Sequence, residues 1–150
     1  MKFSGKYDPR SSSSTGHMLG DTPGEAEVQR WNPQHCARIR EAGGWTTLTA
    51  GSLNLYVDRG DFDKLLGQPP SMIERGTDIR YPTDYEHIPI SRVEYYYYRA
   101  TATRANKSCQ VLARRAKCPG PIVVELFADV KLVTALDLNP GDDVNVEIPP

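Results

Sequence analysis

The chain has 150 residues, 39% of them hydrophobic and 25% charged, with a formal net charge of -1. That is enough apolar material for one ordinary domain, and the charge is too balanced for a disordered protein or for a nucleic-acid binder held by whole-molecule charge. The 12 Gly and 12 Pro favour many short elements and ordered loops over a helical bundle. No window approaches the roughly 18 apolar residues of a membrane span, and Met1 to Arg10 lacks the apolar core of a secretory signal. The cysteines (Cys36, Cys109 and Cys118) are odd in number and widely spaced, which fits a reduced, cytoplasmic setting better than a disulfide framework. With His17, His35 and His87 they offer zinc ligands, but the absence of Cys-x-x-Cys and of a His pair at helical spacing argues against such a site.

In chain order, Lys2 to Tyr7 reads as a first strand, and Asp8 to Pro23 as a Ser/Gly/Pro-rich loop, mobile or ordered on binding. Glu25 to Trp31 alternates like a strand. Asn32-Pro33 is a helix start, the helix runs to about Ala42 with Cys36 and Ile39 on one face, and Gly43-Gly44 ends it. Leu53, Leu55 and Val57 alternate with Ser52, Asn54 and Tyr56, the period of a half-buried strand. Asp61 to Gly67 suggests a helical turn, and Gln68 to Pro89, with four prolines, a long irregular excursion. Arg92 to Thr103 is a strand around Tyr95-Tyr-Tyr-Tyr98, followed by strands at Cys109 to Ala113 and Ile122 to Phe127. Asp129 is a candidate cap for a helix from Val130 to Leu138, with Leu132, Val133 and Leu136 inward; Asn139-Pro-Gly-Asp142 is a turn and Val144 to Ile148 a closing strand. The whole chain, 1–150, is read as a single domain. Short strands with few helices point to a mainly β fold, a small β-barrel.

Several residues carry chemistry. Ser52 and Asn54 lie two apart on a strand and so share a face. A hydroxyl and an amide carbonyl there are two hard oxygens of the kind that hold Mg²⁺ beside nucleotide phosphates; the alternative is a polar outer face. Glu125 interrupts the apolar run Ile122 to Phe127, so its carboxylate needs a partner, water or a ligand. Ala128 to Val133 joins a strand end to a helix start. Arg104, Lys107, Arg114, Arg115 and Lys117 are either a phosphate or nucleic-acid contact or a solvated face. The four tyrosines either stack on a flat ligand or pack on opposite strand faces with their hydroxyls in water.

The order of Gly51-Ser-Leu-Asn-Leu55, Ile122-Val-Val-Glu-Leu-Phe-Ala-Asp-Val-Lys-Leu132 and Leu138-Asn-Pro-Gly-Asp-Asp-Val-Asn-Val146 resembles the CTP-dependent riboflavin kinases of archaea. That family has a Pro-Gly-Thr-Leu-Asn strand motif, a Glu-containing apolar strand, an Ala-Pro-x-Lys-Leu segment and a Leu-x-x-Gly-Asp-x-Val close. The resemblance implies a small closed six-stranded cradle-loop β-barrel with two or three short helices, a nucleotide partner and a small-molecule acceptor. It implies Mg²⁺ on Ser52 and Asn54, flavin contact and a catalytic role for Glu125, and nucleotide contact by Val130, Lys131, Leu132 and Val133. The family's Gly-rich phosphate loop falls on Gly24, Glu25 and Ala26, with Leu19-Gly20-Asp21 as the alternative.

This sequence departs from the pattern in three places. The loop lacks a compact Gly-x-Gly-x-Gly, the flavin-contacting Thr is Ala116, and the Pro of Ala-Pro-x-Lys-Leu is Asp129. The implied activity is direct phosphoryl transfer from CTP or another nucleotide to riboflavin or a related small hydroxylated acceptor, with Mg²⁺ as cofactor. The alternative is a non-catalytic barrel that binds nucleotide, small ligand or DNA. The closing segment is also similar to the swapped-hairpin ending of AbrB-type DNA-binding proteins, but Asp137, Asp142 and Asp143 argue against DNA at that end.

Overall fold

A computed structural model describes residues 1–9, 33–49, 52–75, 94–117 and 122–150. Alternating burial along Lys2–Tyr7 (β1) and Asp143–Glu147 (β7) matches the period of two in their sequences. Between them lie Pro33–Gly43 (α1), Leu53–Val57 (β2), Arg59–Leu65 (α2), Met72–Arg75 (β3), Glu94–Arg104 (β4), Lys107–Ala116 (β5), Val123–Phe127 (β6) and Leu132–Ala135 (α3). The strands run in the order β3-β4-β5-β6-β2-β1-β7, and β7 pairs back onto β4. Every pairing is antiparallel. The protein is thus mainly β: a closed six-stranded antiparallel barrel with β3 as a flanking strand and three short helices.

Inside the barrel sit Phe3, Leu53, Leu55, Val57, Tyr98, Val111, Val124, Leu126, Val144 and Val146. Ala100, Ala102 and Ala113 share that interior, and small residues suit a narrow closed barrel. α2 closes one end with Phe62 and Leu65; α3 and the residues after it close the other with Leu132, Leu136 and Leu138. The two lie at opposite ends because α2 follows β2, α3 follows β6, and those strands are antiparallel. A second cluster lies outside the wall, where Cys36, Ile39 and Leu48 cover Tyr97, Leu112 and Phe127. α1 is therefore a lid on the outer face of β4, β5 and β6.

Local signals set most boundaries. The α1 terminus has Gly44 at φ 76, with Gly44 N bonded to Glu41 O and Trp45 N to Arg40 O, the paired closure that a left-handed glycine permits. Asp58 caps α2 by accepting from Gly60 N at 2.9 Å. In the 139–142 turn Asp142 N donates to Asn139 O at 3.0 Å and Gly141 has φ 90.

Four expectations are revised. The helix expected at Val130 to Leu138 spans only Leu132–Ala135, and its N-cap is Lys131 without a side-chain bond, not Asp129. A left-handed Asp137 (φ 52) stops it, with Leu138 N bonded to Val133 O. β3 lies within the segment read as irregular. Met-Ile-Glu-Arg is a weak strand signal, but β4 runs past its pairing with β7 and offers an edge at Glu94 to Tyr97. β5 is longer than Cys109 to Ala113, because it pairs with β4 from Lys107 to Ala116. Asn54 is buried, not on a wet outer strand face. The strand read at Glu25 to Trp31, the candidate residues Gly24, Glu25 and Ala26, the alternative Leu19-Gly20-Asp21, and nearly all of the loop at Asp8 to Pro23 lie outside the described residues, as do His17, His87, Cys118 and the later part of the excursion. Among the described residues no helix is long and apolar enough to cross a membrane.

Candidate functional site

Strand parity places Asn54, Glu125, Arg114 and Tyr97 on the outer wall, and register puts them in one row. Asn54 faces Glu125, Glu125 faces Arg114, and Arg114 faces Tyr97. The row crosses β2, β6, β5 and β4. All four residues are buried. At its β2 end, Ser52 Oγ lies 3.4 Å from Asn54 Oδ1 and 3.3 Å from Glu125 Oε2. The structure therefore brings together Ser52, Asn54 and Glu125, three residues separated by up to 73 positions.

A serine hydroxyl carries one proton, so Ser52 can satisfy only one of these two acceptors at a time. Both separations are longer than an ordinary O–H···O bond of about 2.5–3.0 Å, so the hydroxyl holds neither oxygen tightly. Octahedral Mg²⁺ sets adjacent ligand oxygens about 3 Å apart, close to these separations. The donor set is hard oxygen throughout, so Ser52 and Asn54 fit the group that the resemblance implies. Among the described residues no cluster of three or more His, Cys, Asp or Glu could hold a metal; Ser52 and Asn54 would rely on phosphates and water to complete the shell.

Glu125 has a partner that sequence reasoning did not assign to it. Arg114 Nη2 donates to Glu125 Oε2 at 2.5 Å, and the same oxygen meets Ser52. Arg114 is 3% exposed and stacks over the rings of Tyr95 at 4.4 Å and Phe127 at 5.0 Å. Burial alone would draw the Arg114 proton affinity down, but the facing Glu125 charge, with Tyr97 and Tyr95, pushes it well above the usual arginine value. Parity alone would have put Arg114 on the face of Leu112, but only register selects Glu125.

The row continues beyond the barrel. Arg114 Nη1 reaches the Tyr97 hydroxyl at 3.4 Å, and that hydroxyl donates to Glu74 Oε1 at 2.8 Å. Glu74 Oε2 accepts from His35 Nδ1 at 2.8 Å and Arg38 Nε at 2.9 Å. Burial pushes the Glu74 carboxyl up. The hydrogen bond and charge of His35, with bonds from Tyr97 and Arg38, outweigh that and hold it below the usual range. His35 thus sits in a carboxylate network, and Cys36 is buried in the apolar cluster beside it.

The other candidates are dispersed. Val130 and Lys131 are exposed, Leu132 is buried in the barrel core and Val133 is partly buried. They follow β6 at the barrel end that carries Ser52, where Thr49 N donates to Ala128 O at 3.0 Å. A separate surface cavity of about 570 Å³ is lined by Lys6, Tyr7, Asp8, Pro9, Tyr56, Pro140 and Gly141, and by none of Ser52, Asn54 and Glu125. Tyr56 lies two residues beyond Asn54 on the same face, and Asp8 N donates to Asn54 O at 3.3 Å.

The basic group does not gather into one patch. Arg104 pairs with Asp142 at 3.2 Å, Lys107 approaches Asp137 at 3.9 Å, and Lys117 pairs with Glu94 at 3.1 Å. Arg115 points the other way from Arg114, donates to the Phe62 carbonyl and stacks on the Phe62 ring at 3.7 Å. Arg104 and Lys107 thus meet carboxylates of the acidic end, whereas Lys117 and Arg114 pair with Glu94 and Glu125. The tyrosines alternate across the wall as strand parity requires, but Tyr97 and Tyr98 bury their hydroxyls instead of reaching water. Tyr98 donates to Leu65 O at 2.7 Å. Comparison with protein-family models and with curated proteins returns no match to this chain.

Proposed function

We propose that this protein binds a magnesium–nucleoside triphosphate, of which CTP is the first candidate, at the Ser52 end of the barrel. It then transfers a phosphoryl group to a small hydroxylated acceptor such as riboflavin. The observation that carries this reading is the convergence of Ser52 Oγ, Asn54 Oδ1 and Glu125 Oε2 at one barrel end, the end at which the exposed Val130 and Lys131 follow β6. When bound, Mg²⁺ would neutralise phosphate charge there. Ser52 and Asn54 would hold it through their side-chain oxygens. Lys131 would meet the phosphates as an exposed cation, and Glu125, whose Oε2 is engaged by Arg114, would orient the acceptor hydroxyl through Oε1. Such reactions draw most of their rate from positioning and charge stabilisation.

Calorimetry with CTP and Mg²⁺ tests the reading. Asn54→Ala is expected to abolish magnesium-dependent nucleotide binding in a folded protein, and unchanged binding removes the proposal. A second reading, binding without transfer on the same barrel, draws support from the Arg114–Glu125 ion pair, which leaves one carboxylate oxygen for a ligand. Saturable CTP binding with no phosphorylated acceptor by mass spectrometry would select it.

A further inference from the structure

We propose that Arg114 is the positioning residue of this site, fixing the Glu125 carboxylate so that Oε2 faces Ser52 and Oε1 is left for the acceptor. The inference rests on the function proposed above and deepens it, but its geometric core stands apart from the identity of any ligand.

Three observations carry it. Arg114 and Glu125 are register partners on adjacent strands, so the ion pair is imposed by the sheet and not by a flexible loop. The guanidinium has little room to move: it is 3% exposed, lies over Tyr95 and Phe127, and is tied on its other nitrogen to the Tyr97 hydroxyl. Glu125 Oε2 is shared between Arg114 at 2.5 Å and Ser52 at 3.3 Å, so the carboxylate cannot turn away from Ser52 without breaking the stronger bond. Oε1 receives no hydrogen bond from a described residue. Tyr97, held in turn by Glu74 under α1, completes a rigid support behind the carboxylate. A planar fork that bonds two partners while stacked on rings is a task for arginine; the single ammonium of lysine cannot reproduce it.

The test uses the full chain, with crystal structures of Arg114→Met and Arg114→Lys and a steady-state assay with CTP, Mg²⁺ and riboflavin. Both variants are expected to let Glu125 rotate out of hydrogen-bond distance of Ser52 while the barrel is unchanged. Turnover is expected to fall by about 10- to 100-fold while the KM for CTP stays within about twofold, because orientation is lost and nucleotide binding is not. If Arg114→Met does not fold, Arg114→Lys, which keeps the buried charge, supplies the answer. A Glu125 carboxylate that stays on Ser52 in a folded Arg114 variant overturns the proposal, as does full turnover in Arg114→Lys. Rotation of Glu125 in a protein whose wild type binds no CTP upholds the positioning role and removes the kinase reading instead.

Discussion

The Tyr97 hydroxyl donates to Glu74 Oε1 at 2.8 Å, and this one bond joins two buried ionic clusters. On one side stand Glu74, His35 and Arg38, tying β3 to α1; on the other stand Arg114 and Glu125 in the barrel wall. Neither cluster is local in sequence, and the first holds the helix that covers the second.

Glu74 is 1% exposed and accepts from three side chains. Glu74→Ala leaves His35, Arg38 and the Tyr97 hydroxyl without their shared acceptor. The expected cost is about 3–5 kcal/mol, the usual range for breaking a buried ion pair from one side. Urea denaturation measures it, and a loss below about 1 kcal/mol, the scale of an exposed pair, would mean that the cluster contributes little.

Acid should weaken the fold through the same carboxylate. The folded protein holds Glu74 below its ordinary value of 4.5, so the unfolded chain binds the proton more readily. The stabilisation is therefore present above pH about 4.5 and lost as pH falls through the lower folded value. Urea midpoints between pH 6 and 3 should fall steeply for wild type and less so for Glu74→Gln. Identical slopes would contradict the assignment. Glu94, lowered by its hydrogen bond to Lys117, acts in the same direction.

Alkali should act on the tyrosines. Burial pushes the Tyr98 hydroxyl up to about 12 and raises Tyr97 well above its ordinary value. A raised folded value means that stability is complete below pH about 10 and is lost as pH climbs towards 12. Tyrosinate absorbance should show Tyr98 ionising late and together with unfolding. In Tyr98→Phe the late step should shrink; its persistence at full size would assign it elsewhere.

Two backbone positions give opposite expectations. A Cβ on Gly5 would lie 2.8 Å from Leu55 Cβ and 3.0 Å from Tyr56 O, so Gly5→Ala should cost about 1–3 kcal/mol by forcing β1 from β2. Ala105, in the two-residue β4–β5 loop, has φ 51, a region glycine enters without a Cβ clash. Ala105→Gly should raise stability by about 0.5–1 kcal/mol. Thermal melts of both variants read the two signs.

The strands were legible in the sequence where burial alternates simply. Lys2–Tyr7 is read to the residue, and Leu53–Val57 follows from Leu53, Leu55 and Val57. The end of α1 follows from Gly44, whose conformational preference acts within a few residues; α2, read from Asp61 to Gly67, instead spans Arg59–Leu65 behind an Asp58 cap that the sequence reading did not name. β3 was not legible, because Met72–Arg75 becomes a strand only on the edge that β4 presents. The short α3 was misjudged because Asp137, not an exposed Asp129, decides its length.

For the site, the sequence by itself determined the kinds of groups: a hydroxyl and an amide two apart on a strand, and a carboxylate in an apolar run that had to find a partner. Which groups meet was decided by tertiary structure. Parity assigns a residue to one of two faces, but cross-strand register depends on closure of the whole barrel. It is register that sets Glu125 between Asn54 and Arg114 and withdraws Arg114 from a basic patch into a buried ion pair. The near-zero net charge likewise has a spatial form only in the fold, where Arg104 meets Asp142 and Lys6 meets Asp143 across the closed sheet.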